Sequence, residues 1–550
     1  MDSKDWWRSA VTYQLYIRSF ADSDGDGLGD ISGIRSRLSY ITRLGVDAIW
    51  VNPWYPSPQR DGGYDVADYR DIDPGFGTLD DAERLIDDAH AAGLRVLLDI
   101  VPNHTSIEHG WFKAALAATP GSPERARYWF RRGLGVDGSE PPNDWQSVFG
   151  GPAWTRVSER GGQPGEWYLH LFDVSQPDLN WANPEVVTEF ESILRFWFDR
   201  GADGFRIDVA HGLAKDPDLP SLNLPDGDAI LAHTYGENHP YWDRPEVQDV
   251  YQGWRRIADS YDPPRVFVAE AWVDSADALA EYVVPTRLHS AFDFEFIRSP
   301  WNAKSLRTFA QTSLTAHDRM GAPVMWVQSN HDVVRHVTRL GRDQAALDGA
   351  DALHAGGPSD PVLGIRRARA AILLELALPG GVYLYQGEEL GLEEVLDLPE
   401  ELLQDPTWER SGHTVRGRDG CRVPLPWTPS GPSLGFGPPD GRAPWLPQPR
   451  HWPALSAQTQ ESDRGSMLWL YRDALRLRHE LPQIGLGGGI ITWTGDEPDV
   501  LGFTRGQGFV CMLNTGSAPI PLPPGEVALS SVPIEDGLLP ADAAAWILTG

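Results

Sequence analysis

Along the chain, short runs of apolar and β-branched residues alternate with longer stretches in which apolar positions recur every three or four residues. That alternation is the pattern of strands followed by amphipathic helices around a parallel sheet. The runs cover residues 11–17, 48–52, 95–101, 204–209, 265–271, 291–296, 324–328 and 382–385. Eight buried parallel strands predict an α/β fold, the closed (β/α)8 TIM barrel. Helix signals lie between them. Thr78 stands at a cap position, Asp81 completes a capping box, and Leu85, Ile86 and Ala89 form a stripe that ends at Gly93. Asn183 followed by Pro184 opens another helix in the same manner.

Two departures from a plain barrel divide the chain. Residues 104–172 are too long for a simple loop and show Gly-rich clusters without a long helical pattern, which predicts a subdomain inserted after the third strand. Residues 481–550 carry short apolar runs, such as 500–504 and 509–513, separated by Gly, Pro and Asp, which predicts a C-terminal antiparallel β domain. The barrel then comprises 1–103 and 173–480. A stretch rich in Pro, Gly and charge, 387–452, follows the eighth strand, on the face where barrel active sites lie.

Composition narrows the class of partner. With 47 basic and 78 acidic residues the formal charge is −31, a field that repels nucleic acid and anionic membrane surfaces and suits a neutral substrate. Cys421 and Cys511 are the sole cysteines, too few for a disulfide framework or a Cys-rich zinc site. The N-terminal residues lack the basic-then-apolar order of an export signal, and the most apolar later stretch is interrupted by charge, Pro and Gly. A cytoplasmic protein with no membrane span is therefore expected.

Catalytic groups of a parallel barrel come from the C-terminal ends of different strands. Here those ends carry Asp99 to His104, Arg206 and Asp208, Glu270, and Asn330 to Asp332. Arg206 and Asp208, two apart on a strand, face the same way, so the guanidinium is expected to lower the pKa of Asp208 and keep it an ionised nucleophile. Glu270 on the next strand is then the proton donor, and Asp332 a third negative charge suited to an oxocarbenium-like transition state. Two carboxyl groups with divided duties are what glycoside hydrolysis requires. Ion pairs that merely brace the barrel mouth are the alternative for any one of these residues. The loop Asp22-Ser23-Asp24-Gly25-Asp26-Gly27-Leu28-Gly29-Asp30 offers alternating carboxylates and a carbonyl at Leu28, a pattern suited to a hard cation such as Ca²⁺.

The stretches Asp99 to His104, Gly204 to Asp208, Ala269 to Trp272 and Asn330 to Asp332, with Gln176 to Asn180, resemble in order and spacing the sequence regions of the α-amylase family of glycoside hydrolases (family 13). The resemblance implies Asp208 as nucleophile, Glu270 as general acid/base and Asp332 as transition-state stabiliser, in a retaining double displacement. His104, Arg206 and His331 are implied to contact the sugar. Gly63-Tyr64-Asp65 and Gly417-Arg418-Asp419-Gly420 resemble segments of exo-acting bacterial α-glucosidases and oligo-1,6-glucosidases of that family. There Asp65 and Arg418 would pair behind the terminal glucose, next to Tyr64, although a surface ion pair is the plainer reading. Phe149 and Phe172 are expected to line the same pocket, or to serve ordinary packing. In that branch a similar first loop holds structural Ca²⁺ or Mg²⁺, which puts Asp22, Asp24, Asp26, Leu28 and Asp30 in the ligand set.

Val209 after the nucleophile is a feature of relatives that cut α-1,6 bonds, whereas the run Asp208 to Leu213 with Asn238 to Trp242 resembles α-glucosidases that prefer α-1,4 substrates. The implied activity is an exo-α-glucosidase on short oligosaccharides or disaccharides, α-1,4 favoured and α-1,6 tolerated. A transglycosylase or isomerase acting on sucrose, maltose or trehalose shares the same trio. A non-catalytic amylase-like partner protein would have lost the carboxylates that this chain retains.

Overall fold

Seven of the eight apolar runs become strands that start within about a residue of the expected position and end among or just before the polar residues that close each run. They are β1 (Val11–Leu15), β2 (Ala48–Val51), β3 (Arg95–Ile100), β4 (Gly204–Ile207), β5 (Val266–Ala269), β7 (Met325–Val327) and β8 (Gly381–Tyr385), with β6 reduced to Ser290–Ala291. In this computed structural model the described residues are 4–159, 161–223, 239–344, 353, 357–485, 490–495 and 497–549; Asn238 lies outside them. The sheet runs β7-β8-β1-β2-β3-β4-β5-β6 with parallel pairing throughout. A parallel bridge between Phe292 and Met325 joins its two ends, so the sheet is a (β/α)8 barrel. Strands covered on both sides read as near-continuous apolar runs, and β1, β2, β4, β5 and β8 are buried at every position.

The helix signals act locally. Thr78 caps α1 (Leu79–Ala91) with a reciprocal capping box to Asp81, and Asn183 caps α2 (Pro184–Phe198) by accepting the Glu185 N–H. The run 291–296 is the exception. Strand β6 ends at Ala291, and the Asp293 carboxylate accepts the Phe296 N–H at 3.0 Å to open α3 (Phe294–Arg298). The alternation Phe294-Glu295-Phe296 imitates a strand, but the capping Asp turns the chain first.

Within residues 104–172 a three-stranded antiparallel sheet (Phe130–Arg131, Pro164–Leu169, Trp154–Ser158) packs with a helix, Gly110–Ala117, that is too short for periodicity to have revealed. Bridges from His104 to Asp178 and from Tyr128 to Leu179 attach this part to the strand ends. After the barrel, a five-stranded antiparallel sheet spans Ile491–Thr494 to Ala543–Leu548. It docks on the helix Pro361–Ala377, where Trp546 Nε1 donates to the Leu373 carbonyl (2.8 Å) and Arg505 to that of Ala377 (2.9 Å). No described helix is long and apolar enough to cross a membrane.

Candidate active site

One guanidinium organises the mouth of the barrel. Arg206, 2% exposed, meets Asp99 at 3.0 Å and Asp208 at 2.6 Å through Nη1, and Glu270 at 2.9 Å through Nη2. Glu270 also accepts the Val209 N–H (2.9 Å) on Oε2 and the Trp272 indole N–H (2.8 Å) on Oε1. Val209 adopts φ +46°, a left-handed conformation that is costly for a β-branched residue and that turns its N–H back onto Glu270. Asp332 receives Arg418 Nη1 at 2.9 Å and Arg422 Nη2 at 3.0 Å, with His331 Nε2 at 3.2 Å. Its own N–H is taken by the Asn330 side chain (2.8 Å).

The electrostatics correct one expectation. Burial raises the Asp208 carboxyl well above the usual carboxylate range; Arg206 opposes this, and the charges of Glu270 and Asp99 add to it. The two-residue spacing correctly paired Asp208 with Arg206, but that cation is divided among three carboxylates. Asp99, fully enclosed, is likewise pushed up to about 6 by burial against Arg206. Asp332 is the opposite case: burial works against its charge, yet with the His331 ring beside it the guanidiniums of Arg418, Arg422 and Arg206 hold it well below the usual range. Burial pushes His104 down to about 4 and His331 far below its ordinary value, so both rings are neutral at neutral pH. Gln14 Nε2 meets His331 Nδ1 at 2.7 Å; an amide nitrogen donates, which puts the imidazole hydrogen on Nε2.

The second correction concerns Asp65. Its carboxylate accepts Ser57 Oγ (2.8 Å) and the N–H groups of Arg60 (3.1 Å) and Asp61 (3.3 Å), and it does not reach Arg418. The partner of Arg418 is Asp61, at 2.6 Å, with Asp332 and Asp405 as its other two carboxylates. Gly62 and Gly63, both at positive φ, let the chain reverse between the two acids. Asp65 thus ties the turn that presents Asp61. Asp61 lies four residues upstream of Asp65, two before the Gly63-Tyr64-Asp65 motif, and was overlooked. Arg422 stood in the run that follows Arg418, whereas nothing in the charged stretch around Asp405 distinguished it.

Asp208, Glu270 and Asp332 face one cavity, lined also by Asp61, Tyr64, His104, Phe149, Phe172 and Arg418. Trp242, His211 and Trp272 add further rings to its wall; they lie in sequence stretches already noted, where they had no role of their own. Arg206 and His331 stand behind the lining, His331 stacked against Tyr64 with ring centroids 5.1 Å apart. Tyr64 donates to Asp99 at 2.9 Å, and Phe149 lies 5.1 Å under the Arg418 guanidinium. The cavity therefore combines an ionic floor with aromatic walls, the arrangement that receives a sugar ring with its polar rim and apolar faces.

In the first loop, carboxylate oxygens of Asp22, Asp24 and Asp30 lie within 4.8 Å of one another. Asp26 is not in that group, and its carboxylate accepts the Leu28 N–H at 2.8 Å. Burial raises the Asp22 carboxyl, Asp26 and Asp24 add like charge, and no cation is among its principal neighbours. A converging set of this kind fits a divalent cation.

The α-amylase catalytic-domain model matches residues 14–487. Over 533 residues the chain is 38% identical to a probable alpha-glucosidase of Rhizobium meliloti (strain 1021), covering 93% of this chain and 89% of the relative. It is 33% identical to the oligo-1,6-glucosidase of Parageobacillus thermoglucosidasius, covering 92% and 88%. The crystal structure of the alpha-glucosyl transfer enzyme XgtA superposes with a TM-score of 0.84 at 36% identity, over 98% of this chain and 99% of that one.

Proposed function

The chain belongs to the α-amylase family of glycoside hydrolases, and from that premise we propose that it is a retaining exo-α-glucosidase. It removes terminal non-reducing glucose from short α-glucosides, α-1,4 links favoured and α-1,6 accepted. The observation that carries this reading is the continuous ion-pair wall Asp61–Arg418–Asp332, which joins the floor of the cavity to the catalytic carboxylates and is backed by Phe149. A wall of this kind favours the end of a sugar chain over its middle.

In this reading Asp208 attacks C1 while Glu270 protonates the leaving oxygen, and Glu270 then activates the water that releases glucose. Asp208 and Glu270 share one guanidinium, and the reaction assigns them divided duties, Glu270 delivering the proton and Asp208 attacking as the carboxylate. Asp332, held ionised, opposes the positive charge that develops on the ring. The neutral His104, on the cavity lining, serves as an uncharged hydrogen-bonding partner for sugar hydroxyls, while His331 supports Tyr64 and Asp332 from behind. Asp22, Asp24 and Asp30 would hold Ca²⁺ or Mg²⁺, which would brace the first loop without entering the reaction.

Glucosyl transfer is the second reading, favoured by the similarity to XgtA over nearly the whole chain. Both are tested by incubation with maltose, isomaltose, sucrose and trehalose side by side, with Asp208→Asn as blank. Free glucose from maltose, absent in the blank, supports hydrolysis; rearranged or lengthened sugars with little glucose support transfer. No reaction with any of the four contradicts both.

A further inference from the structure

The oxygens of Glu270 are not equivalent. Oε2 receives two donors, the Val209 N–H and the charged Arg206 Nη2, both at 2.9 Å. Oε1 receives one, the Trp272 indole at 2.8 Å. A proton is therefore better accommodated on Oε1, and the indole N–H, which can only donate, occupies one of that oxygen's two lone-pair directions. The hydrogen is left with the other. Trp272 is itself held in place: its ring stacks on Phe294 with centroids 3.9 Å apart and planes 11° apart, and the Arg298 guanidinium lies 4.9 Å from its centroid. Both residues come from α3, the short helix that replaces the expected strand extension. Trp272 also lines the cavity.

We propose that Trp272, clamped by α3, is a positioning residue that directs the acidic hydrogen of Glu270 toward the glycosidic oxygen. The inference rests on Glu270 being the general acid/base. In the step concerned, the Oε1–H bond breaks as its proton passes to the glycosidic oxygen. The C1–O electron pair stays on that oxygen, Asp208 forms the new bond to C1, and Glu270 is left as a carboxylate.

The test compares maltose, whose leaving group needs the proton, with 2,4-dinitrophenyl α-glucoside, whose leaving group does not. Trp272→Phe keeps the aromatic wall and the stacking surface but lacks the N–H. It is expected to lower kcat/KM on maltose by about 10- to 100-fold, through kcat rather than KM, part of the 10²–10⁴ that general acid catalysis contributes. On the dinitrophenyl substrate the loss in kcat/KM should be at least several-fold smaller than on maltose. Phe294→Ala, which frees the indole without removing it, should lower the maltose value selectively as well, and serves if Trp272→Phe folds poorly. Equal losses on both substrates, or none on maltose, would overturn the role of Trp272. Glu270→Gln separates the two levels: turnover of maltose by that variant would overturn the acid/base reading itself, whereas its silence alongside an unimpaired Trp272→Phe would overturn only the positioning role.

Discussion

Arg206 shows why local spacing predicts contacts better than it predicts charge states. A two-residue interval on a strand was enough to place its side chain beside Asp208. The upward shift at Asp208 comes first from burial, with Glu270 just beyond β5 and Asp99 of β3 adding to it, surroundings that no interval along one strand reveals. The same holds for Asp61 and Asp65, of which the motif suggested the wrong one as the partner of Arg418. Their roles separate in experiment. Asp61→Asn should raise KM for maltose by about tenfold or more with little change in thermal midpoint, because Arg418 loses a charged partner at the pocket wall. Asp65→Ala should instead cost about 1–3 kcal/mol of stability, since a buried acceptor serving one hydroxyl and two N–H groups is removed. Steady-state kinetics with parallel denaturant titrations would distinguish them, and a reversal of the two effects would restore Asp65 as the residue that grips substrate.

The strands and their order were legible because parallel strands covered on both faces must be apolar, and the polar residues that close each run are the ones that reach the cavity. What escaped detection was short and capped. Helix α3 spans five residues, too few for helical periodicity to show against an alternating Phe-Glu-Phe, and only Asp293 as its N-cap marks it. The acidic first loop was legible as a pattern, yet the structure groups three of its four carboxylates and commits Asp30 also to capping the helix Ile31–Ser36. Removal of divalent ions with a chelator should therefore lower the thermal midpoint, and Ca²⁺ should restore it, an effect absent from Asp24→Ala. Identical melting curves with and without the chelator would leave the loop as an acidic turn.

At the scale of the whole molecule, charge and composition indicated a neutral ligand, while the chemistry depended on polar residues enclosed by a large core. A second enclosed set lies behind β8: Glu388 accepts Tyr471 Oη at 3.3 Å and the Tyr385 N–H at 2.9 Å, and Glu389 accepts both Tyr13 and Tyr40 at 2.8 Å. Burial, with the charge of Glu389, pushes the Glu388 carboxyl up to about 8. An acid whose folded-state pKa is raised retains its proton in the native state after the unfolded chain has lost it. Its contribution to stability is thus full below about 4.5, falls as pH rises, and levels off above about 8. Urea midpoints measured at pH 5 and pH 8 should differ less for Glu388→Gln than for the parent protein. An unchanged difference would contradict a buried protonated carboxyl at this position.

The central claim, that Asp208 becomes covalently bonded to C1 of glucose, is tested most directly by trapping the intermediate. The enzyme would be treated with 5-fluoro-α-glucosyl fluoride, which slows release of the bound sugar, then digested and sequenced by mass spectrometry. The account predicts one glucosyl-derived adduct on the peptide that contains Asp208, absent when excess maltose competes. An adduct on Glu270 or Asp332 in its place, or inactivation with no adduct at all, would contradict it.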